Sequence, residues 1–221
     1  MQSSKLRIGI ISAEKSGDYL AASFIESLKS SGRDFELFGI GGKELDKFNI
    51  SRPQDFDREI LNVMGIIDPL KNLRQILRAR KQILDFLISK NINIFIGVDS
   101  PDLNSFFHKK LKKINSTINF QIVSPSVWAC RSGRVKQLRK FVDTTFCLFK
   151  FEHEYLKKNN VNSFHVGHPF QDIEKVEDVS SIKNRYEINN DSECLTFLVG
   201  SRRSEISNML SIYKKEIKKV Y

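Results

Sequence analysis

Cysteine is scarce in this sequence: Cys130, Cys147 and Cys194 are the whole complement of the 221-residue chain, and no two stand in a CxxC spacing. Each lies in or beside an apolar segment, so they read as free thiols of a reducing compartment rather than as a disulfide framework. Proline is sparse too, at 5, and with 40% apolar and 28% charged residues the composition excludes a disordered chain. No apolar run approaches the ~18 residues that a membrane-spanning helix needs. The opening MQSSKLRIGIISAE lacks the apolar stretch of a signal peptide and enters a strand within a few residues. From these absences the chain is expected to be cytoplasmic, with attachment to a membrane surface still open. GxGxxG is missing, which removes the dinucleotide fingerprint. The four histidines are scattered with no HxxxH or HExxH pattern, so neither a metal nor another cofactor is expected. Acidic residues are outnumbered, 26 against 36 basic, giving a net charge of +10. That balance favours an anionic partner: acidic lipid, a phosphorylated substrate or nucleic acid. A Lys-, Asn- and Ile-rich composition also follows from an AT-biased genome. Zinc fingers, RNP-type aromatics and a basic recognition helix are all lacking, so nucleic acid is not the expected partner.

What is present is an alternation of short apolar runs with amphipathic stretches. Strands are predicted over 6–12, 35–40, 92–98, 119–123, 144–149 and 163–166. Helices are predicted over 18–30, 70–88, 105–114, 134–141 and 151–158. In the first helix Leu20, Phe24, Ile25 and Leu28 recur at helical spacing, and in the long one so do Leu73, Ile76, Leu77, Leu84 and Leu87. This order implies an α/β, Rossmann-like parallel sheet with helices on both faces, joined by right-handed crossovers. The expected organisation is an N-terminal Rossmann-like domain over 1–170, a linker over 171–192 and the opening of a second domain over 193–221. That opening is a single βα unit, a strand over 194–199 and a helix from about 204. One such unit cannot bury both faces of its strand.

In sheets of this kind ligands bind beyond the carboxyl ends of the strands, and the polar clusters of this sequence fall there. After strand 1 comes SAEKSGD, where Glu14, Ser16, Gly17 and Asp18 meet the start of a helix. Small residues let a ligand approach the backbone, but two carboxylates argue against a simple phosphate cradle. A capping role for Asp18 or a serine is the structural alternative. After strand 3 comes VDSPDLN. Asp99 at the strand end is placed to accept a proton from a substrate hydroxyl, while Asp102 is expected to cap the next helix. After strand 4, SPSVW offers Ser124, Ser126 and the single tryptophan, Trp128, as a cleft wall or as core. Of the basic residues that follow, Arg131, Arg134, Lys136, Arg139 and Lys140, most read as a solvated helix face. His168 closes strand 6 in a Gly-His-Pro turn, as a structural residue or as part of a substrate site.

SAEKSGD, NVMGI, IGVDSPDLN, SPSVWA, the FE of KFEHEYL, VGHP and GSRRSEI follow one another in this order. As a set they resemble the lipid-A-disaccharide synthase family of inverting, two-Rossmann-domain (GT-B) glycosyltransferases. The resemblance runs from about Leu6 to the C-terminus. It implies transfer of diacylglucosamine from its UDP-linked form to 2,3-diacylglucosamine 1-phosphate, forming the lipid A disaccharide and releasing UDP. Asp99 matches the family's proposed general base, Glu14, Ser16, Gly17 and Asp18 match the loop bordering the cleft, and Arg202 matches the arginine that meets the donor diphosphate. Val63, Met64, Ile66, Ile67 and Leu70, with the helix bearing Arg74 and Arg78, match the region thought to touch the membrane. The pattern of that helix agrees: Lys71, Arg74, Arg78, Arg80 and Lys81 stand without an acid beside an apolar stripe.

The chain departs from the family at Val199 and Lys150, where proline is usual, and at Cys130, where a second aromatic is usual. Most of the second domain is also missing, so the chain is expected to be an incomplete portion with little activity alone. The implied location is the cytoplasmic face of the inner membrane. The implied partners are the two glycolipid substrates, surface lipid and, as a further candidate, a second copy of the chain. The alternative is a catalytically inactive Rossmann-like module that binds acidic lipid or a protein.

Overall fold

A computed structural model describes residues 5–54, 56, 73–114, 116–129, 133–172, 178–200 and 203–220. The chain divides into two compact units, Met1–Ile173 and Glu174–Tyr221.

The first unit is built on a six-stranded sheet in which every neighbouring pair is parallel. Its strands are β1 (Leu6–Ser12), β2 (Phe35–Ile40), β3 (Ile94–Val98), β4 (Ile118–Ile122), β5 (Thr144–Cys147) and β6 (Ser163–His165), in the order β2-β1-β3-β4-β5-β6. The helices are α1 (Lys15–Ser30), α2 (Lys43–Asp46), α3 (Leu73–Ser89), α4 (Pro101–Ile114), α5 (Gly133–Phe141) and α6 (Lys150–Lys158). The predicted strands are present, several of them shorter than the sequence implied. The predicted helices are present too, within a few residues at their ends, and residues 70–72 of the long one lie outside the described residues. α2 was not foreseen, because four residues are too short for a periodic signal.

The strands carry near-continuous apolar runs because the sheet is covered on both faces. On one face α3 and α4 bury Ile83, Leu84, Leu87, Leu103, Phe107 and Leu111 against Ile11, Phe38 and Phe95. On the other, α1 and α2 bury Ala21, Ile25 and Leu45 against Ile8, Ile10, Ile96 and Val98. A smaller cluster of Val135, Leu138, Cys147, Leu156 and Val161 joins α5 and α6 to the end of the sheet.

The chain leaves β1 for β2 on one side and returns to β3 on the other. The reversal of strand order therefore lies between β1 and β3, where the carboxyl-end loops diverge and leave a crevice. Ser12 pairs with Val98 across this switch, and Val98 pairs with Ile122 of β4. SAEKSGD and VDSPDLN thus form the two lips of the crevice.

The second unit contains α7 (Val179–Arg185) and α8 (Arg203–Val220). The strand expected over 194–199 is not formed: these residues join no ladder, and Leu195 and Leu198 are exposed. The apolar run is that of a buried strand, but a strand requires a neighbouring edge. None of the described residues of this unit supplies one. Phe197 instead packs on Tyr213 of α8, with ring centroids 5.0 Å apart, and the Tyr213 hydroxyl donates to the Leu198 carbonyl.

Candidate active site

One lip of the crevice is the start of α1. Glu14 holds the N-cap position with extended backbone, and its carbonyl accepts the Asp18 N–H at 2.8 Å. The amides before it in the first turn have no carbonyl four residues back within the helix. A Cβ added at Gly17 would lie 3.6 Å from the Asp99 Cβ and 2.9 Å from the Ser12 hydroxyl. Glycine lets the start of α1 sit against the Ser12 hydroxyl, which leaves Asp99 within contact distance of the positive end of the helix, a favourable place for a carboxylate.

Asp99 departs from strand geometry. Its φ is 49° and that of Ser100 is 38°, a left-handed pair with no glycine in it. On the neighbouring strand Val123, the residue after β4, has φ 70°. Left-handed backbone is a genuine outlier for a β-branched residue. Such conformations cost about 1–3 kcal/mol each and persist where the surroundings over-determine them, which is common at functional sites. Here the Asp99 N–H donates to the Ile122 carbonyl at 2.9 Å, and Asn104 Nδ2 donates to the carbonyls of Asp99 (2.7 Å) and Val98 (3.2 Å). Gln121 Nε2 donates to the Asp99, Ile122 and Val123 carbonyls at 3.1, 3.0 and 3.2 Å. Asn104 and Gln121 are fully buried, while Asp99 is half-buried.

Gln121 has His108 behind it. The His108 ring packs edge-on against Phe95, and its Nε2 lies 3.0 Å from Gln121 Oε1. Because the Gln121 NH₂ group is taken by three carbonyls, its oxygen must be the acceptor, and His108 presents Nε2–H. Burial pushes the His108 pKa down to about 4, so the ring is neutral at physiological pH; the contact with Gln121 and the Asp143 carboxylate oppose that shift only in part.

The remaining sequence-derived candidates divide. Asp18 is buried, and its oxygens accept the N–H groups of Gly42 (2.7 Å) and Glu44 (2.8 Å), so it caps α2 rather than α1. Ser16 is exposed on the first turn of α1. Ser124 is buried and donates to the Pro125 carbonyl, whereas Ser126 is exposed. Trp128 meets Phe151 edge-on at 4.9 Å. His168 lies 4.6 Å from Phe170, and its Nδ1 accepts the Phe170 N–H at 3.1 Å. Through Phe149, which stacks on Phe151 and neighbours His168, these rings form one aromatic row along the carboxyl ends of β4, β5 and β6.

One expectation is corrected. Asp102 does not cap α4: the helix starts at Pro101, and the Ser100 carbonyl accepts the N–H groups of Leu103 and Asn104 at 3.0 Å, so Ser100 holds the capping position. Of the basic residues after SPSVW, Lys136, Arg139 and Lys140 are exposed, whereas Arg134 is mostly buried and pairs with Asp102, bridging α5 to α4. Arg202, Val63, Met64, Ile66, Ile67 and Leu70 lie outside the described residues, as do Lys71, Cys130 and Arg131. On α3, Arg74, Leu77, Arg78 and Lys81 are exposed, but Arg80 is half-buried with its guanidinium 5.7 Å from the Phe106 ring. No helix among the described residues is long and apolar enough to cross a membrane, and none of their His, Cys, Asp and Glu side chains cluster as metal ligands would.

Sequence reasoning missed His108, Gln121 and Asn104. A signal existed for Gln121: Asn119 and Gln121 place two amides on one face of a strand due to be buried on both sides.

Residues 8–221 match the family described as Lipid-A-disaccharide synthetase. The lipid-A-disaccharide synthase of Acinetobacter baylyi is 35% identical over 210 residues, covering 93% of this chain and 52% of the relative. That of Azoarcus sp. is 35% identical over 213 residues (94% and 52%), and that of Idiomarina loihiensis 34% over 221 residues (97% and 56%). The chain thus spans about half the length of the curated relatives it matches. With a match running through both lips of the crevice and nearly end to end, the chain belongs to the lipid-A-disaccharide synthetase family.

Proposed function

We propose that this chain supplies the acceptor side of a glycosyltransferase of lipid A biosynthesis, with Asp99 as general base. The observation that carries the reading is the left-handed Asp99, fixed at the strand-order switch beside the positive end of α1. In the reaction the Asp99 carboxylate takes the proton of the acceptor's 6-hydroxyl. The oxygen then attacks the anomeric carbon of UDP-diacylglucosamine, the bond to the diphosphate breaks on the opposite side, and UDP leaves with inversion. Arg202 would neutralise the charge that grows on the departing diphosphate. Glu14, Ser16, Ser126, Trp128 and His168 border the acceptor, with Asp18 supporting the loop.

The same reading takes residues 1–170 as the acceptor domain, 171–192 as a linker and 193–221 as the opening of the donor domain. It places the protein on the cytoplasmic face of the inner membrane, held there by Val63–Leu70 and the exposed Arg74 and Arg78.

The test uses a chain completed to its relatives' length with the second half of the Acinetobacter baylyi protein, assayed with UDP-diacylglucosamine and labelled acceptor. Asp99→Asn keeps the side-chain size but cannot take a proton, so kcat should fall roughly 10²–10⁴-fold with KM little changed. Near-normal kcat in the folded variant would place the base elsewhere.

A further inference from the structure

Asp99 owes its conformation to groups that never face the crevice. Its carbonyl receives a side-chain donor from each of two elements: Asn104 Nδ2 of α4 at 2.7 Å and Gln121 Nε2 of β4 at 3.1 Å. Gln121 does more than Asn104, because the same NH₂ group also holds the carbonyls of Ile122 and of left-handed Val123. One amide therefore pins both strand ends that form this side of the crevice.

Space for it is made by Gly97. A Cβ there would lie 2.8 Å from the Asn104 side chain and 2.9 Å from Gln121 Oε1. The orientation of the amide is set by His108, whose neutral ring offers Nε2–H to Gln121 Oε1; a flipped amide would set its NH₂ against that N–H and take its donor from the carbonyls of Asp99, Ile122 and Val123, of which Asp99 would keep Asn104 and Ile122 would keep the Asp99 N–H.

We propose that Gln121 is a positioning residue: oriented by His108 from behind, it ties the Asp99–Ser100 turn to the end of β4 and so aims the Asp99 carboxylate. The proposal rests on the reading of Asp99 as general base. A carboxylate that must meet a hydroxyl proton within hydrogen-bond distance tolerates little displacement, and a misplacement of about 1 Å can cost on the order of 10²-fold in rate. Substrate affinity depends on the wider crevice and should be nearly indifferent to Gln121.

The experiment compares Gln121→Met, which keeps length and bulk without N–H donors, with the unmodified completed chain and with Asp99→Asn, rates being referred to the folded fraction measured by circular dichroism. The expected result is a kcat lower by roughly 10–100-fold with KM within about threefold. An unchanged kcat, or a raised KM at unchanged kcat, overturns the proposal while a dead Asp99→Asn leaves the base assignment standing. An active Asp99→Asn removes the base assignment itself. Should Gln121→Met fail to fold, His108→Phe takes its place. It leaves the amide but removes the N–H that orients it, and it should lower kcat about threefold or more at constant KM, a wild-type kcat again overturning the proposal.

Discussion

His108 links the chemistry of single residues to the stability of the fold. Its pKa of about 4 lies below the usual 6.5 because the imidazolium would lose its water. As pH falls below about 6.5 the unfolded chain takes up a proton that the folded chain refuses, so stability drops until about pH 4 and levels off below it. The loss reaches about 2 kcal/mol at pH 5. Urea unfolding at pH 7.5 and pH 5 should show that drop in the native sequence and a drop smaller by about that amount in His108→Phe. Parallel losses would mean that His108 does not titrate as its burial implies. Asp102 makes a useful contrast. Its side chain is 68% exposed, so its pairing with Arg134 is largely screened, and Asp102→Asn should cost about 1 kcal/mol or less. Both residues are polar groups of one helix; depth alone separates their effects.

At the scale of elements, α2 exists because Asp18 reaches across to its first amides. Four residues cannot sustain a helix by propensity, and here a buried carboxylate fixes the Gly42 and Glu44 N–H groups while Leu45 anchors the core side. Asp18→Ala should cost about 2 kcal/mol, since two charge-assisted bonds are lost and two amides are left without an acceptor. A melting temperature equal to that of the native chain would show that α2 holds without it. On α3 the exposed row Arg74, Leu77, Arg78 and Lys81 suits an anionic lipid surface, each cation contributing about 1 kcal/mol near it. Binding to liposomes containing phosphatidylglycerol should weaken steeply toward 1 M salt, where the Debye length is about 3 Å, and again when Arg74, Arg78 and Lys81 are changed to Glu. Binding that ignores both treatments would make this row a solvated face. Arg80 is left out of that set because its guanidinium packs on Phe106.

For the whole molecule, the second unit pairs two helices with an extended segment whose Leu195 and Leu198 face solvent, and its described residues form no sheet that could hold a nucleotide. The 221-residue chain by itself is therefore expected to form no disaccharide from UDP-diacylglucosamine and labelled acceptor. Turnover within about tenfold of the Acinetobacter baylyi enzyme, a barrier difference near 1.4 kcal/mol, would contradict that.

Much of this protein was legible in the order of its residues. Apolar runs such as Leu6–Ser12 and the helical spacing of Leu84 and Leu87 required a parallel sheet covered on both faces, because only that arrangement buries such strands. Their alternation placed SAEKSGD and VDSPDLN at carboxyl ends, and so placed Asp99 in the crevice. Pattern could not supply strand order, and it is the order β2-β1-β3 that brings the two loops together. Nor could it show that Asp18 is consumed by α2, that Arg134 alone of the described basic residues after SPSVW turns in to Asp102, or that His108 and Gln121 stand behind Asp99. Those are contacts between residues distant in sequence, fixed by register and helix packing. The segment 194–199 fails for the same reason in reverse: its composition suits a strand, but a strand forms only where another edge accepts its hydrogen bonds, and that is decided by tertiary structure alone.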